Sequence, residues 1–206
     1  SSEDRWNEYY DVILANPPFF SPKGGIMPHN RFGVKSTKAE ILFIDYINEH
    51  LKPNGRAGII VPEGVIFQTG TSYKQLRKRL IETSLIGVIS LPSGTFNPYS
   101  GVKTSILILD KSFNKKTDKI FFYKINNDGY SLGAQRNKQD SNDIPDCISL
   151  FQNFLKQGTG KNLINKKKIN SENDFTYSYD KIVLKQIINS KYEFKNLSEI
   201  ADFVRG

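Results

Sequence analysis

Short apolar runs alternate with helix-like segments through the first half of this 206-residue chain. Four apolar runs predict strands, at 12–15, 57–61, 85–91 and 105–109. Apolar side chains at helical spacing predict two intervening helices, at about 38–51 and 72–81. The order strand, helix, strand, helix, strand, strand favours a mostly parallel α/β sheet. Because the loop before the last strand allows an antiparallel return, we expect one reversed strand near the edge of that sheet.

The second predicted helix combines an apolar stripe with a basic face. Ser72 is expected to be its N-cap, because a hydroxyl oxygen can accept a hydrogen bond from a free amide at the start of a helix. Its basic side chains are expected to face water, and these are Lys74, Arg77, Lys78 and Arg79.

The pattern changes after Asp110. A further strand is predicted at 120–125 and a short helix at 144–155, with another helix near 179–189. The segment 129–143 is polar and turn-rich, and the basic segment 156–174 is expected to be exposed. We therefore expect a small C-terminal extension beside the sheet.

Charge and cysteine content narrow the function classes. The net charge is +8, and residues 111–206 hold 17 Lys and Arg against 11 Asp and Glu, an excess that is typical of proteins with polyanionic partners and also of proteins without them. The single Cys147 excludes an intramolecular disulfide, and we expect it to be a buried apolar side chain. No apolar run approaches the roughly 18 residues of a membrane span, so a soluble, cytoplasmic protein is expected. His29 and His50 are too isolated to predict a metal site.

The first predicted strand ends at Asn16-Pro17-Pro18-Phe19. Open α/β sheets bind ligands beyond the carboxyl ends of their strands. The two prolines stiffen the turn, so the side-chain oxygen of Asn16 and the backbone carbonyl of Pro17 form a preorganised pair of acceptors. Such a pair suits the two N–H bonds of an exocyclic adenine amine, while Phe19 offers a face on which a base can stack.

Three stretches carry a resemblance to a known family. Asn16-Pro17-Pro18-Phe19 resembles the Asn-Pro-Pro-Phe motif of N6-adenine DNA methyltransferases. Two later stretches resemble the modification subunits of type I restriction–modification systems or related fused modification–specificity enzymes. These are Leu91-Pro92 with Phe96 and Gly101-Val102-Lys103-Thr104, and Asn127-Asp128-Gly129-Tyr130-Ser131 with Arg136 and Asn142-Asp143-Ile144-Pro145. The resemblance spans about residues 11–151.

The resemblance implies part of a Rossmann-like sheet of an S-adenosylmethionine-dependent methyltransferase. It implies catalytic roles for Asn16, Pro17, Pro18 and Phe19, and places Phe96 against the other face or edge of the target adenine. The alternative for Phe96 is an aromatic plug of its own loop.

Several basic or polar residues are candidates for DNA contacts. Lys103 and Thr104 are expected beside a phosphate, although a lysine at a strand edge is also commonly just solvated. Methylation within a duplex requires extrusion of the base, and the 21–37 loop, which carries Lys23 and Arg31, is a candidate element that orders over DNA. The alternative is a disordered loop with incidental charge.

The donor-binding half of such an enzyme is not visible in these residues. The Gly-rich turn and acidic residue that hold S-adenosylmethionine are expected upstream of the chain, leaving Asn16 as its one predicted cofactor contact. We therefore expect an incomplete fragment that is inactive alone, with an exposed sheet edge.

The expected division of the chain has three parts. Residues 1–125 are the C-terminal half of the catalytic domain, 126–195 a family-specific extension and connector, and 196–206 the start of a target-recognition domain. The implied partners are double-stranded DNA, a specificity subunit or fused recognition domain, and a restriction subunit.

Two other function classes stay open at this point. The Asn-Pro-Pro-aromatic motif also marks methyltransferases that act on RNA bases or on protein glutamine amides. A non-catalytic DNA-binding or assembly module is the third alternative, because the donor-binding half is not seen and the second half is basic.

Overall fold

The computed structural model describes residues 7–18, 29–172 and 175–184. In chain order the elements are β1 (Tyr10–Ala15), α1 (Ala39–His50), β2 (Leu51–Pro62), α2 (Glu63–Phe67), α3 (Thr71–Thr83), β3 (Leu85–Ser90), β4 (Thr104–Asp110), α4 (Lys111–Lys116), β5 (Lys119–Lys124), β6 (Asp128–Tyr130), β7 (Lys138–Asn142), α5 (Ile144–Gln157), β8 (Leu163–Asn165), α6 (Lys166–Glu172) and a π-helical turn (Asp180–Leu184).

Six of the strands form one mixed sheet, in the spatial order β1, β2, β4, β3, β5, β8. Strands β1, β2, β3 and β5 run in one direction, whereas β4 and β8 run against them. The predicted α/β class is thereby confirmed, and β4 is the reversed strand that the sequence indicated.

Two details of the sheet differ from the prediction. The reversed strand β4 lies between β2 and β3 instead of near the edge, because loop 91–103 is long enough to return it into the gap between them. The second difference is β8, a three-residue strand that adds another reversed partner to β5. Such a short strand in a basic segment leaves no alternating pattern that could have predicted it.

Two hydrophobic clusters pack on opposite faces of the sheet. Alternate residues of β3 show the division, since Val88 belongs to the larger cluster and Ile89 to the smaller one. Helices α1 and α3 cover the larger cluster, while Cys147 and Phe154 of α5 complete the smaller one. Because α5 packs on the sheet and β8 pairs with β5, much of the extension after residue 125 adds to the same sheet structure.

The polar, turn-rich segment 129–143 contributes to a hairpin that the sequence analysis did not predict. Strands β6 and β7 pair with each other outside the main sheet. All five residues of β7 are exposed, so no apolar alternation marks them as a strand. Besides the pairing of the two strands, an ion pair between Arg136 and Asp128 at 2.6 Å stabilises the hairpin.

Two predictions about the second helix were wrong. Helix α3 begins after Gly70, and Ser72 lies within the helix and does not cap it. Arg77 is fully buried, whereas the sequence placed it on the solvent face. Its guanidinium donates to the carbonyl oxygens of Phe175, Val65 and Gln68, of which Val65 lies in α2 and Gln68 directly follows it.

Within the described ranges, no helix is long and apolar enough to cross a membrane. Residues 196–206, the expected start of a recognition domain, lie outside the described residues, as do residues 185–189 of the helix predicted near 179–189. The described part of that helix is the π-helical turn at Asp180–Leu184.

Candidate functional site at the carboxyl edge of the sheet

Three chain segments meet where the parallel strands end. Ala15, the last residue of β1, pairs with Ile59, and Pro62, the last residue of β2, pairs with Thr104 at the start of β4. Loop 91–103 leaves β3 at the same edge, because the amide of Leu91 donates to the carbonyl of Thr104 at 3.0 Å. The turn after β1, the start of α2 and this loop therefore border one region, where open α/β sheets bind ligands.

The turn after β1 presents its amide side chain to the outside. Asn16 and Pro18 are exposed and Pro17 is half-buried. In the described part of the chain, no protein group makes a hydrogen bond to the side chain of Asn16. Its oxygen is therefore available to an incoming donor. Phe19, the predicted stacking partner, lies outside the described residues.

Glu63 is a site residue that the sequence analysis missed. Its carboxylate accepts from Lys103 Nζ at 3.1 Å and from Ser105 Oγ at 3.1 Å, and its backbone amide donates to the carbonyl of Lys103 at 2.9 Å. The sequence could have identified Glu63 as a candidate, because it directly follows β2 just as Asn16 directly follows β1. This pairing holds Lys103 at the site edge and neutralises part of its charge.

Thr104 is buried at the start of β4, and its predicted phosphate contact stays a prediction. The residue is 1% exposed. It begins β4 between two neighbouring strands, and Oγ1 has no hydrogen-bond partner among the described residues. Lys103 is half-buried and pairs with Glu63 at the edge of the site, and its predicted phosphate contact likewise stays a prediction.

Phe96 is half-buried and packs against the smaller core cluster. This contact is the one expected of an aromatic plug that anchors loop 91–103. The part of the ring that stays accessible leaves the predicted contact with a target base open, and that contact remains a prediction.

The structure separates Arg31 from Asn16. Arg31 is exposed and lines a cavity of about 250 Å³ together with Tyr9 and Glu49. Tyr9 directly precedes β1, so Arg31 lies near the amino end of that strand, roughly 20 Å from Asn16 at about 3.3 Å per residue. The predicted DNA contact of Arg31 stays a prediction. Lys23 lies outside the described residues.

Buried Asp45 ties the end of the 21–37 loop to α1. Its Oδ2 accepts from the amides of Gly33 at 2.7 Å and Val34 at 3.1 Å. Residues 33 and 34 are thus attached to the body of the protein through a buried carboxylate.

The fold and the site together define a methyltransferase-type α/β sheet with an amide–proline turn at its ligand-binding edge. The chain matches the N-6 DNA Methylase family over residues 1–195 and belongs to that family.

Individual relatives are similar over parts of their length. The chain is 35% identical over 120 residues to the Type I restriction enzyme EcoEI methylase subunit of Escherichia coli, covering 58% of this chain and 24% of that protein. It is 27% identical over 199 residues to the Type I restriction enzyme MpnII methylase subunit of Mycoplasma pneumoniae, covering 91% and 35%. The crystal structure of a type I restriction-modification system methyltransferase subunit from Streptococcus thermophilus matches with a TM-score of 0.64 and 27% identity, covering 85% of this chain and 38% of that one.

The chain therefore spans only 24% and 35% of the length of these two curated relatives.

Proposed function

We propose that the full-length protein containing this chain transfers a methyl group from S-adenosylmethionine to N6 of adenine at specific sites in DNA, within a restriction–modification system. The observation that carries the proposal is the exposed amide of Asn16 on a proline-stiffened turn at the carboxyl edge of the sheet. Membership in the N-6 DNA Methylase family supports it, as does the similarity to subunits named as type I restriction enzyme methylases.

The role of the turn follows from the chemistry of the acceptor. The lone pair of an adenine amine is delocalised into the ring, which makes the nitrogen a weak nucleophile. Two fixed acceptors, the side-chain oxygen of Asn16 and the carbonyl of Pro17, hold its two N–H bonds and favour a pyramidal nitrogen. The nitrogen forms a bond to the methyl carbon as the carbon–sulfur bond of the donor breaks, and it then releases one proton to solvent.

The described residues fit one side of the donor. S-adenosylmethionine, when bound, supplies an electrophilic methyl group attached to a sulfonium. Asn16 stands at the end of β1, whose side chains Val12 and Leu14 are 56% and 82% exposed. This uncovered strand offers a boundary for the donor pocket, and we propose that the groups that hold the ribose come from the rest of the full-length protein.

The proposed DNA contacts surround the turn. Phe19 stacks on the extruded adenine, the accessible part of Phe96 borders it, and Lys103 contacts a neighbouring phosphate.

The proposed partners are duplex DNA, a specificity subunit or fused recognition domain, and a restriction subunit. We further propose that residues 126–195 are a family-specific extension and that 196–206 begin the recognition part.

The test compares Asn16→Ala with wild type in the full-length protein. With tritiated donor and unmethylated bacterial genomic DNA, we expect at least a roughly 100-fold slower transfer, because a preorganised polar group at the reacting centre is lost. Binding to duplex DNA should stay within about twofold of wild type, since Asn16 is one of many contacts. Asn153→Ala removes another exposed amide, from α5, and should leave both quantities unchanged.

The same assay, repeated with bacterial RNA and with bacterial protein as acceptors, separates the alternatives. Tritium on RNA or on protein glutamine, with none on DNA adenine, would assign the protein to the other methyltransferase classes. Full activity of the Asn16→Ala protein would refute the proposed role of the turn. If the wild-type protein binds DNA but transfers no methyl group to any acceptor, the protein is a non-catalytic DNA-binding module.

A further inference from the structure

Loop 91–103 carries an aromatic side chain that the protein itself leaves uncovered. Tyr99 is 94% exposed, whereas Phe96, three residues earlier, is half-buried against a core cluster. A single exposed aromatic residue is ordinary on a protein surface, so its exposure alone assigns no role. The attachment of the loop and its position at the candidate site distinguish Tyr99.

Hydrogen bonds within the loop give it a defined shape. The hydroxyl of Thr95 donates to the carbonyl of Pro92 at 2.8 Å, and the amide of Asn97 donates to the carbonyl of Gly94 at 3.0 Å. Directly beyond Tyr99, the amide of Ser100 donates to the carbonyl of Phe96 at 3.0 Å. Tyr99 is therefore held within a closed turn whose base is the packed Phe96.

The β6–β7 hairpin clamps this turn from one side. Arg136 donates through Nη1 to the carbonyl of Gly94 at 3.1 Å and through Nη2 to the buried carboxylate of Asp128 at 2.6 Å. Asn97 Nδ2 donates to the carbonyl of Leu132 at 2.9 Å. The hairpin thus reaches the loop by two side-chain bonds, one from each partner.

The other end of the loop is fixed by α2. Lys103 accepts from the amide of Glu63 and pairs with its carboxylate, at the edge that also carries Asn16. Because both ends are held, presenting Tyr99 to a ligand loses little conformational entropy. These contacts therefore fix a loop whose tip carries a solvent-exposed aromatic ring.

We propose that Tyr99 is a DNA-binding residue whose ring stacks on a nucleobase at or beside the target adenine. This assignment rests on the proposed function and adds a second aromatic contact, separate from the half-buried Phe96. The ligand class follows from the side chain and its place, since an uncharged planar ring at the edge bordered by Asn16 and Lys103 offers a base a stacking surface.

The experiment uses the full-length methylase together with its DNA-recognition partner. Its target is first located by mapping methylated adenines in genomic DNA incubated with the wild-type protein. A duplex oligonucleotide with that sequence, and a copy with 2-aminopurine in place of the target adenine, are then the probes. Tyr99→Ala is compared with Tyr99→Phe, which keeps the ring, and with Ile148→Ala, which removes an exposed apolar side chain of α5.

We expect Tyr99→Ala to weaken DNA binding about 10-fold and to raise the KM for DNA in proportion, because one base stack is lost. The change in kcat should be smaller, and the rise in 2-aminopurine fluorescence on binding should be reduced. Tyr99→Phe and Ile148→Ala should bind and methylate within about twofold of wild type. All three substitutions should leave the unfolding midpoint unchanged, since the side chains are exposed.

Wild-type binding and KM in Tyr99→Ala would overturn the proposal, and so would a Tyr99→Phe protein as defective as Tyr99→Ala. Asn16→Ala, measured in parallel, keeps the two proposals apart, because it should lose transfer while binding DNA normally. If the wild-type protein transfers no methyl group to DNA, the proposed function fails, and Tyr99 is then judged by binding to unmethylated genomic DNA under the same criteria.

Discussion

Cys147 illustrates how burial sets the chemistry of a single side chain. The residue is 3% exposed on the inner face of α5, as its sequence context predicted. Burial, with a smaller contribution from neighbouring Asp146, raises the pKa of its thiol to about 11. The reactive thiolate is therefore scarce at neutral pH, and the side chain acts as a small apolar group within the cluster around Phe121 and Phe154.

We predict that Cys147 of the folded chain resists iodoacetamide from pH 7 to pH 9 and reacts fully after denaturation in urea. Unfolding restores the ordinary thiol pKa of about 8.5 and exposes the sulfur. Because the folded pKa is the higher one, the stabilisation from this thiol is complete below about pH 8.5 and is lost as pH rises towards 11. Mass spectrometry of timed samples gives the labelled fraction, and complete labelling of folded protein within minutes would contradict the prediction.

In loop 91–103, the conformation and close packing of one residue, Gly94, require that it has no side chain. Gly94 has φ +88, and a Cβ atom there would lie 2.9 Å from the carbonyl of Leu132 and 2.8 Å from Asn97 Nδ2. The hairpin and the loop can approach this closely because residue 94 has no side chain. The sequence contains this glycine, but only the structure shows which two segments it allows to meet.

We predict that Gly94→Ala lowers the free energy of unfolding by about 1–3 kcal/mol, because it combines an unfavourable φ with a clash against backbone. Gly101→Ala in the same loop is the matched control, since its added Cβ meets no atom within 4 Å. That substitution should change stability by less than about 0.5 kcal/mol. Urea unfolding monitored by circular dichroism measures both, and equal effects would refute the role assigned to Gly94.

Arg77 connects distant parts of the molecule. Its guanidinium donates to Phe175 at 2.6 Å, Val65 at 3.0 Å and Gln68 at 2.8 Å, and the hydroxyl of Tyr177 donates back to the Arg77 carbonyl. These bonds hold the segment after α6 against α2 and α3. A fully buried cation is tolerated here because several carbonyl dipoles surround it.

We predict that Arg77→Ala lowers the free energy of unfolding by roughly 3 kcal/mol or more, because a cavity replaces the buried side chain and three carbonyls lose their donor. Arg77→Lys should recover only part of this, since an ammonium cannot reproduce the spread of a planar guanidinium. Gln75→Ala, at an exposed position of the same helix, should change stability by less than about 0.5 kcal/mol. Urea unfolding decides the matter, and an Arg77→Ala protein as stable as wild type would show that the buried bonds contribute little.

The amino-acid sequence by itself determined those features of the fold that depend on local patterns of residues. Strands β1 to β5, helices α1, α3 and α5, and the burial of Cys147 could be predicted because each depends on residues close together in the chain. The sequence of the turn at Asn16 and of loop 91–103 also indicated a methyltransferase family, and the match of residues 1–195 to the N-6 DNA Methylase family confirms it.

Long-range contacts decided the rest. Sequence patterns did not predict the insertion of β4 between β2 and β3, the burial of Arg77 and Thr104, or the pairing of Lys103 with Glu63. The Lys103–Glu63 contact joins residues 40 apart and the Arg77–Phe175 contact residues 98 apart, and periodicity within a short window carries no information at such separations. Whether a polar side chain faces water, a carbonyl or a carboxylate is therefore set by which segments the folded sheet brings together.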